Sequence, residues 1–183
     1  NVFIKDMYGK EPYLGQVWPG ETYFPDWFAV NATSYWTKQL HAFHDLVPYD
    51  GIWIDMNEVS NFCNADGTAQ VCQLNSNPCN SGCCLTCETV DPSNKFDFPP
   101  YTPHVSKGVI SGNTVPMSAV HQNGLKEYFT HNLYGLMESV ATQKAISTII
   151  RKFLLIYFLH FDLFSVVTTF WYIFYTFFLF SRK

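Results

Sequence analysis

Apolar and polar positions follow two rhythms along the first 150 residues. Val2-Phe3-Ile4-Lys5 and Leu14-Gly15-Gln16-Val17-Trp18 are short apolar-rich runs separated by Tyr8-Gly9-Lys10, a pattern that predicts a hairpin of two short strands. A stretch punctuated by Pro and Gly follows from Pro19 to Pro25. Between Ala32 and Leu46 the period changes: Tyr35, Trp36, Gln39, Leu40 and Phe43 recur at helical spacing, and Pro48 follows. This predicts an amphipathic helix that stops before the proline.

Gly51-Ile52-Trp53-Ile54 is continuously apolar and meets an abruptly polar segment at Asp55. Such a run reads as a buried strand of a parallel sheet, whose two covered faces remove the usual alternation. From Asn57 to Pro116 the sequence is dominated by Asn, Ser, Cys, Gly and Pro. That excursion is far longer than an ordinary connection and predicts a functional or cross-linked loop. Helical periodicity returns between Met117 and Ala145, with an interruption around His131 and Asn132. No internal repeat and no Gly-rich phosphate loop is evident.

The last 33 positions break the pattern. Residues 151–183 hold 13 of the chain's 33 aromatic side chains and four basic residues against one acid, which leaves 7 basic and 14 acidic residues before them. This asymmetry predicts a boundary near Arg151, and from about Ile146 onward the sequence departs into a divergent apolar tail, 146–183. Leu163–Phe180 is 18 residues without a charge, enough for a membrane-span candidate within 153–180, and basic residues flank it. Against a span, His160 and Asp162 interrupt the longer run. A membrane segment, a buried core segment and an ending from a misread gene model all remain open.

Length and charge then narrow the class. At 183 residues the expectation is one domain, too short for a complete eight-stranded α/β barrel of about 250. A net charge of −4 without a clustered basic surface predicts no nucleic-acid partner. The chain opens on Asn1 rather than Met, as expected of a stretch inside a longer protein.

All six cysteines, Cys63, Cys72, Cys79, Cys83, Cys84 and Cys87, fall within 25 positions of the polar excursion. An even, crowded set points to disulfides in an oxidising compartment. Zinc is the rival, because Cys84-Leu85-Thr86-Cys87 has ligand spacing, but no second well-spaced pair completes a tetrahedral site. Free thiols are the third alternative. Asn31-Ala32-Thr33 is an N-glycosylation sequon, consistent with a secretory route, although Asn31 equally suits a helix cap.

Chemistry concentrates at Trp53-Ile54-Asp55-Met56-Asn57-Glu58. An acid where an apolar strand ends sits at the catalytic mouth of an α/β barrel, and otherwise serves as a helix cap or turn residue. The longer string Gly51 to Phe62, GIWIDMNEVSNF, resembles the nucleophile signature of glycoside hydrolase family 31, the α-glucosidase and maltase group. Gly15-Gln16-Val17-Trp18-Pro19-Gly20, Tyr23-Phe24-Pro25-Asp26, Pro99-Pro100-Tyr101 and His131-Asn132-Leu133-Tyr134-Gly135 are similar to further family segments. The resemblance covers residues 1 to about 145, and the Cys-rich loop resembles those of plant-type and other eukaryotic members.

The resemblance implies an α/β fold, a partial (β/α)8 TIM barrel with a long Cys-rich loop and an apolar C-terminal tail. It implies a retaining mechanism on an α-glucoside or maltooligosaccharide, with no cofactor and no metal. Asp55 would be the nucleophile that forms a covalent glycosyl-enzyme intermediate, surrounded by hydrogen-bond donors, and Glu58 an orienting group. Trp18, Trp53 and Phe62 match positions that line the glucose subsite, where aromatic faces suit the apolar C–H face of a sugar. The family's acid/base comes from a later strand without a counterpart here, so the chain is expected to carry half a catalytic pair. A noncatalytic carbohydrate-binding or membrane-associated remnant is the alternative. The implied location is the secretory pathway, whether secreted, lysosomal or vacuolar.

The cysteine pattern yields a direct expectation. Thiol titration of the mature chain under denaturing, nonreducing conditions should find few free thiols, because a polar excursion of this length buries too little apolar surface to order itself. Six free thiols would refute it.

Overall fold

The computed structural model describes residues 2–18, 20–63, 90–103 and 110–150. Cys72, Cys79, Cys83, Cys84, Cys87 and the whole of 151–183, including the span candidate at 153–180, lie outside the described residues. Within them the element order is β1 (Leu14–Val17), β2 (Gly20–Tyr23), α1 (Ala32–Leu46), α2 (Glu127–Thr130), a 3₁₀ turn (His131–Leu133) and α3 (Tyr134–Ile149). No helix among the described residues is long and apolar enough to cross a membrane.

The hairpin forms one step later than its sequence suggests. β1 pairs antiparallel with β2, Leu14 opposite Tyr23 and Val17 opposite Gly20, rather than with residues 2–5. The Asp6–Glu11 turn does form, closed by the Asp6 N–H to Glu11 carbonyl bond of 2.8 Å. Residues 2–5, however, are shared among three neighbours. Phe3 bridges Pro25, and Lys5 bridges both Pro12 and Val120. Local pattern cannot reveal that a distant residue, Val120, competes for the same backbone edge.

Residues 51–54 also depart from expectation, since no ladder forms there and Ile54 alone makes a single bridge. A strand needs a neighbour for its N–H and C=O groups, and the described residues supply no continuous one. Ile54 is nonetheless buried and Ile52 partly so, while Trp53 between them is half-exposed.

α1 has the predicted bounds. Pro48 forces Val47 out of the helical region, to φ −134° and ψ 94°, and the helix ends there. Its buried stripe is rotated relative to the predicted one. Ala32 and Leu40 are buried with Trp36 partly so, whereas Gln39 and Phe43 face solvent. The reason is the partner: α1 lies against α3, and the Trp36 indole N–H donates to the Thr142 hydroxyl at 2.8 Å. α3 answers with Ala141, Thr142, Ala145 and Ile146 on one face, small residues that let the helices approach. The break expected near His131 is the 3₁₀ turn.

The polar excursion returns to its origin. Ser60 bridges Thr114, and the Asn61 N–H donates to the Asn113 carbonyl at 3.0 Å. Asp97 fastens the returning chain, its buried carboxylate accepting the Met117 N–H at 2.6 Å. Asn61 is the fastening point on the other side. Fully buried, it accepts the Gln16 and Cys63 N–H groups through Oδ1 and donates to the Tyr13 hydroxyl and the Thr114 carbonyl through Nδ2. Gly15 makes room for it: a Cβ there would sit 2.6 Å from Asn61 Oδ1 and 2.6 Å from the Phe24 ring.

A second buried polar cluster ties residues 24–28 to the α2 region. The His121 ring lies between two carboxylates, Nδ1 at 2.7 Å from Asp26 Oδ1 and Nε2 at 2.7 Å from Glu127 Oε2, and all three side chains are fully buried. Burial opposes the charge on His121 more than any other single influence. The hydrogen bonds and charges of Asp26 and Glu127 together outweigh it and raise the imidazole to about 9. For Glu127, burial pulls upward, but hydrogen bonds from His121 and His131 and their charges hold its carboxyl below the ordinary value.

Two expectations follow from these clusters. Gly15→Ala should destabilise the fold by about 1–3 kcal/mol through overpacking against buried groups, measured by urea denaturation. A smaller loss than that from an exposed Gly→Ala change would contradict the contact. The raised His121 contributes stability that is complete below its unfolded value near 6.5 and is lost as pH rises through about 9. The lowered Glu127 contributes stability present above its unfolded value near 4.5 and lost on acidification. Their joint contribution is therefore greatest between about pH 4.5 and 6.5. His121→Gln should cost about 3–5 kcal/mol there, by leaving two buried carboxylates uncompensated, and the cost should shrink toward pH 9, read as the difference in thermal midpoint across pH.

Candidate active site

The loop from Trp53 to Phe62 is held at its end and exposed in its middle. Ile54, Val59 and Asn61 are buried, while Asp55 and Glu58 face solvent. An apolar residue on each side of a short polar stretch fixes the backbone and leaves the carboxylates outside. Between the two acids the chain takes an unusual path, with Met56 in the left-handed region at φ 60°. For a non-glycine residue that conformation costs on the order of 1–3 kcal/mol and persists only where surrounding contacts impose it. Its visible consequence is that the Met56 N–H reaches back to Asp55 Oδ1 at 2.8 Å. Among the described residues this is the donor that reaches the Asp55 carboxylate.

Of the three aromatic residues matched to a sugar subsite, two come together. Trp18, 73% exposed at the end of β1, meets Phe62 edge to face at 4.9 Å between ring centroids. The Asn61 anchor creates this pair, since it bonds to the Gln16 N–H while the Phe62 N–H donates to the Gln16 carbonyl at 2.8 Å. Trp53 is half-exposed, and no ring contact joins it to the pair among the described residues. A cavity of about 490 Å³ opens beside the loop, lined by Glu58, Phe62, Tyr128 and His131 among others. Asp55 is not among its lining residues. His131 is oriented there by a 3.0 Å bond from Nδ1 to Glu127 Oε1.

Beneath the loop lies α3. Gly135 sits so close to Asn57 that a Cβ would fall 3.1 Å from the Asn57 carbonyl and 3.1 Å from its side-chain nitrogen. One turn further along the same helix, Glu138 is buried. Burial, then the negative charges of Asp55 and Glu58, push its carboxyl up to about 8. Sequence reasoning did not assign Asn61, His121, Glu127 or Glu138. A signal existed for Glu138, an acid in register with Tyr134, Ala141 and Ala145 on the apolar stripe of a helix. For Asn61 and His121 none did, because their partners are distant in sequence.

Of the remaining candidates, Asn31 is exposed and makes no side-chain cap, while its carbonyl accepts the Tyr35 N–H at 2.9 Å. Cys63 is buried and disulfide-bonded. No cluster of three or more potential metal ligands occurs among the described residues.

Comparison with known proteins bears on the greater part of the chain. Residues 1–156 match the family model for the glycosyl hydrolases family 31 TIM-barrel domain. The chain is 42% identical to alpha-xylosidase 1 of Arabidopsis thaliana, over 83% of this chain and 17% of that protein. It is 35% identical to human intestinal sucrase-isomaltase, over 85% of this chain and 7% of that protein. It is 37% identical to mouse lysosomal alpha-glucosidase, over 79% of this chain and 13% of that protein. The chain therefore spans less than a fifth of the length of these relatives. With the acidic loop, its aromatic flank and the helix beneath it all inside the matched region, the chain belongs to glycosyl hydrolase family 31 and lies within that family's TIM-barrel domain.

Proposed function

We propose that this chain carries the nucleophile side of a retaining α-glycosidase site, with Asp55 as the attacking carboxylate. The observation that carries this reading is the placement of Asp55: exposed on a loop whose flanking residues are buried, beside a left-handed Met56. Loops on a rigid scaffold are where catalytic groups concentrate, and an imposed backbone outlier is a pointer to such a site. A carboxylate so presented can attack an anomeric carbon as its bond to the aglycone oxygen breaks, the aglycone leaving as an alcohol once a proton reaches it from an acid not assigned in this chain, and can hold the sugar as a covalent ester until water releases it.

The other parts of the site follow from the same loop. Glu58 orients the loop and faces the adjoining cavity. The Trp18–Phe62 pair, with Trp53 on the same loop, offers apolar rings to the C–H face of a terminal sugar. Substrates are α-linked glucosides such as maltooligosaccharides, in keeping with the names of the glucosidase relatives. The alpha-xylosidase relative favours an α-xyloside as a second substrate class. Exposed Asn31 is available for glycosylation, and Cys63 is disulfide-bonded, both in accord with a secretory location. A family member named as lysosomal is consistent with that compartment.

The test is chemical trapping. A 5-fluoro-α-glucosyl fluoride, whose fluoride departs without a proton from an enzyme acid, should form an ester on Asp55 in the 183-residue chain, read as a mass increment on the peptide containing it and absent in Asp55→Asn. Labelling elsewhere, or none, would overturn the assignment. Turnover of an aryl α-glucoside by the same chain should stay far below that of an intact family member. General acid help is worth about 10² to 10⁴ in rate, and no residue of this chain is assigned to give it.

A further inference from the structure

The reading of Asp55 leaves one buried group beneath the loop unused. Glu138 is only 8% exposed, and it sits on the α3 face whose Gly135 presses against Asn57. Positions three apart on a helix are neighbours, so the contact at Gly135 brings Glu138 under the same loop. Among the described residues the Asn57 side-chain nitrogen is buried there without a hydrogen-bond partner, which marks this seam as polar and close-fitting. A carboxyl in such a seam is stable only in a form that the charges above it permit.

We propose that Glu138 is a positioning residue for the acidic loop: a carboxylic acid kept uncharged beneath Asp55 and Glu58, so that the loop holds two negative charges rather than three. This deepens the proposed function and rests on it only for its consequence, the ionisation of the nucleophile. Its physical basis is independent of catalysis. A third carboxylate at this depth would be desolvated and would face two like charges, each of which disfavours its ionised form.

The groups around Glu138 agree. From the loop, Asp55 and Glu58 act on it, both raising its carboxyl. On its own helix Tyr134 is fully enclosed, and burial, with the charges of Glu138 and Glu127, raises its phenol well above the ordinary value, so it stays neutral. From α1, which packs on α3, the inward residues are Trp36 and Leu40, whereas Lys38, His41 and Asp45 are exposed. No cation is among the causes that shift Glu138, and the proton is what balances the seam.

Because the folded value of about 8 lies above the unfolded one near 4.5, the group's contribution is complete below pH 4.5 and declines as pH rises to about 8. Glu138 is too enclosed to reach a glycosidic oxygen. Its effect passes through the loop: when it ionises, Asp55 gains a like-charged neighbour and the loop loses its neutral support.

Carboxyl-carbon NMR of the full 183-residue chain tests this without any turnover. Glu138 should titrate near pH 8, and the Asp55 resonance should show a second inflection at the same pH. In Glu138→Gln that inflection should vanish, and the thermal midpoint relative to the unmodified chain should rise between pH 4.5 and 8 and then level off. By reciprocity of coupled equilibria, Asp55→Asn should move the Glu138 titration downward. A Glu138 that titrates near 4.5, an inflection that survives Glu138→Gln, or a titration unmoved by Asp55→Asn would each overturn the proposal. Failure of labelling by the 5-fluoro-α-glucosyl fluoride with the coupled titrations intact would overturn the nucleophile reading alone.

Discussion

Four hydrogen bonds to one buried side chain amide decide where the acidic loop can be. Asn61 joins β1, the tail of the loop and the returning chain at Thr114, and the backbone bonds from Phe62 to Gln16 and from Asn61 to Asn113 run alongside it. An amide is suited to this because it offers donors and acceptors in one plane, and both kinds must be used once it is buried. Every oxygen and nitrogen of the Asn61 side chain is engaged, so the junction has one geometry. From it follow the adjacency of Trp18 and Phe62, the closure of the polar excursion and the fixed end from which Asp55 projects. Gly15 is a consequence of the same junction rather than a separate feature, since only a hydrogen fits where a Cβ would touch Asn61 and Phe24.

The buried charges divide into two kinds with opposite logic. Around His121, two carboxylates and an imidazolium share hydrogen bonds of 2.7 Å, and mutual satisfaction allows charge to persist in a place where water is absent. Around Glu138 the charges that act on it among the described residues, those of Asp55 and Glu58, are both negative, and with burial they favour the protonated carboxyl. The first arrangement is a joint between distant parts of the chain. The second sets a buried acid on the helix that packs against Asn57 while Asp55 stays exposed on the loop, so that the environments of Asp55 and Glu138 differ while their chemistry is alike. Pushing like groups apart in this way is how proteins assign different protonation states to them at one pH.

The helices serve these clusters more than they serve themselves. α3 carries Gly135 and Glu138 to the underside of the loop and Ala141, Ala145 and Ile146 to α1, so one element supports both the site and the core. Its register is set by Tyr134, whose hydroxyl donates to the Pro25 carbonyl at 2.9 Å beside the Asp26 end of the His121 cluster. A shift of α3 along its axis would disturb the charged joint, the core and the seam under Asp55 together.

What the sequence determined by itself is local and chemical. Pro48 ends α1 because a proline constrains the residue before it, and Ala32–Leu46 was legible from periodicity alone. The motif from Gly51 to Phe62 carried the family, since a fixed order of Trp, Asp, Met, Asn and Glu leaves little room for coincidence, and the family model agrees over residues 1–156. Tertiary structure decided everything that needed a second partner. Pairing of residues 2–5 depended on Val120, the buried face of α1 on α3, and the state of 51–54 on neighbours that a strand cannot supply to itself. The acid at 138 could be read as out of place on an apolar stripe, but its protonation depends on two carboxylates about 80 residues earlier in the sequence. Hydrogen bonding and desolvation act over a few ångströms of space, and sequence pattern records separation only along the chain.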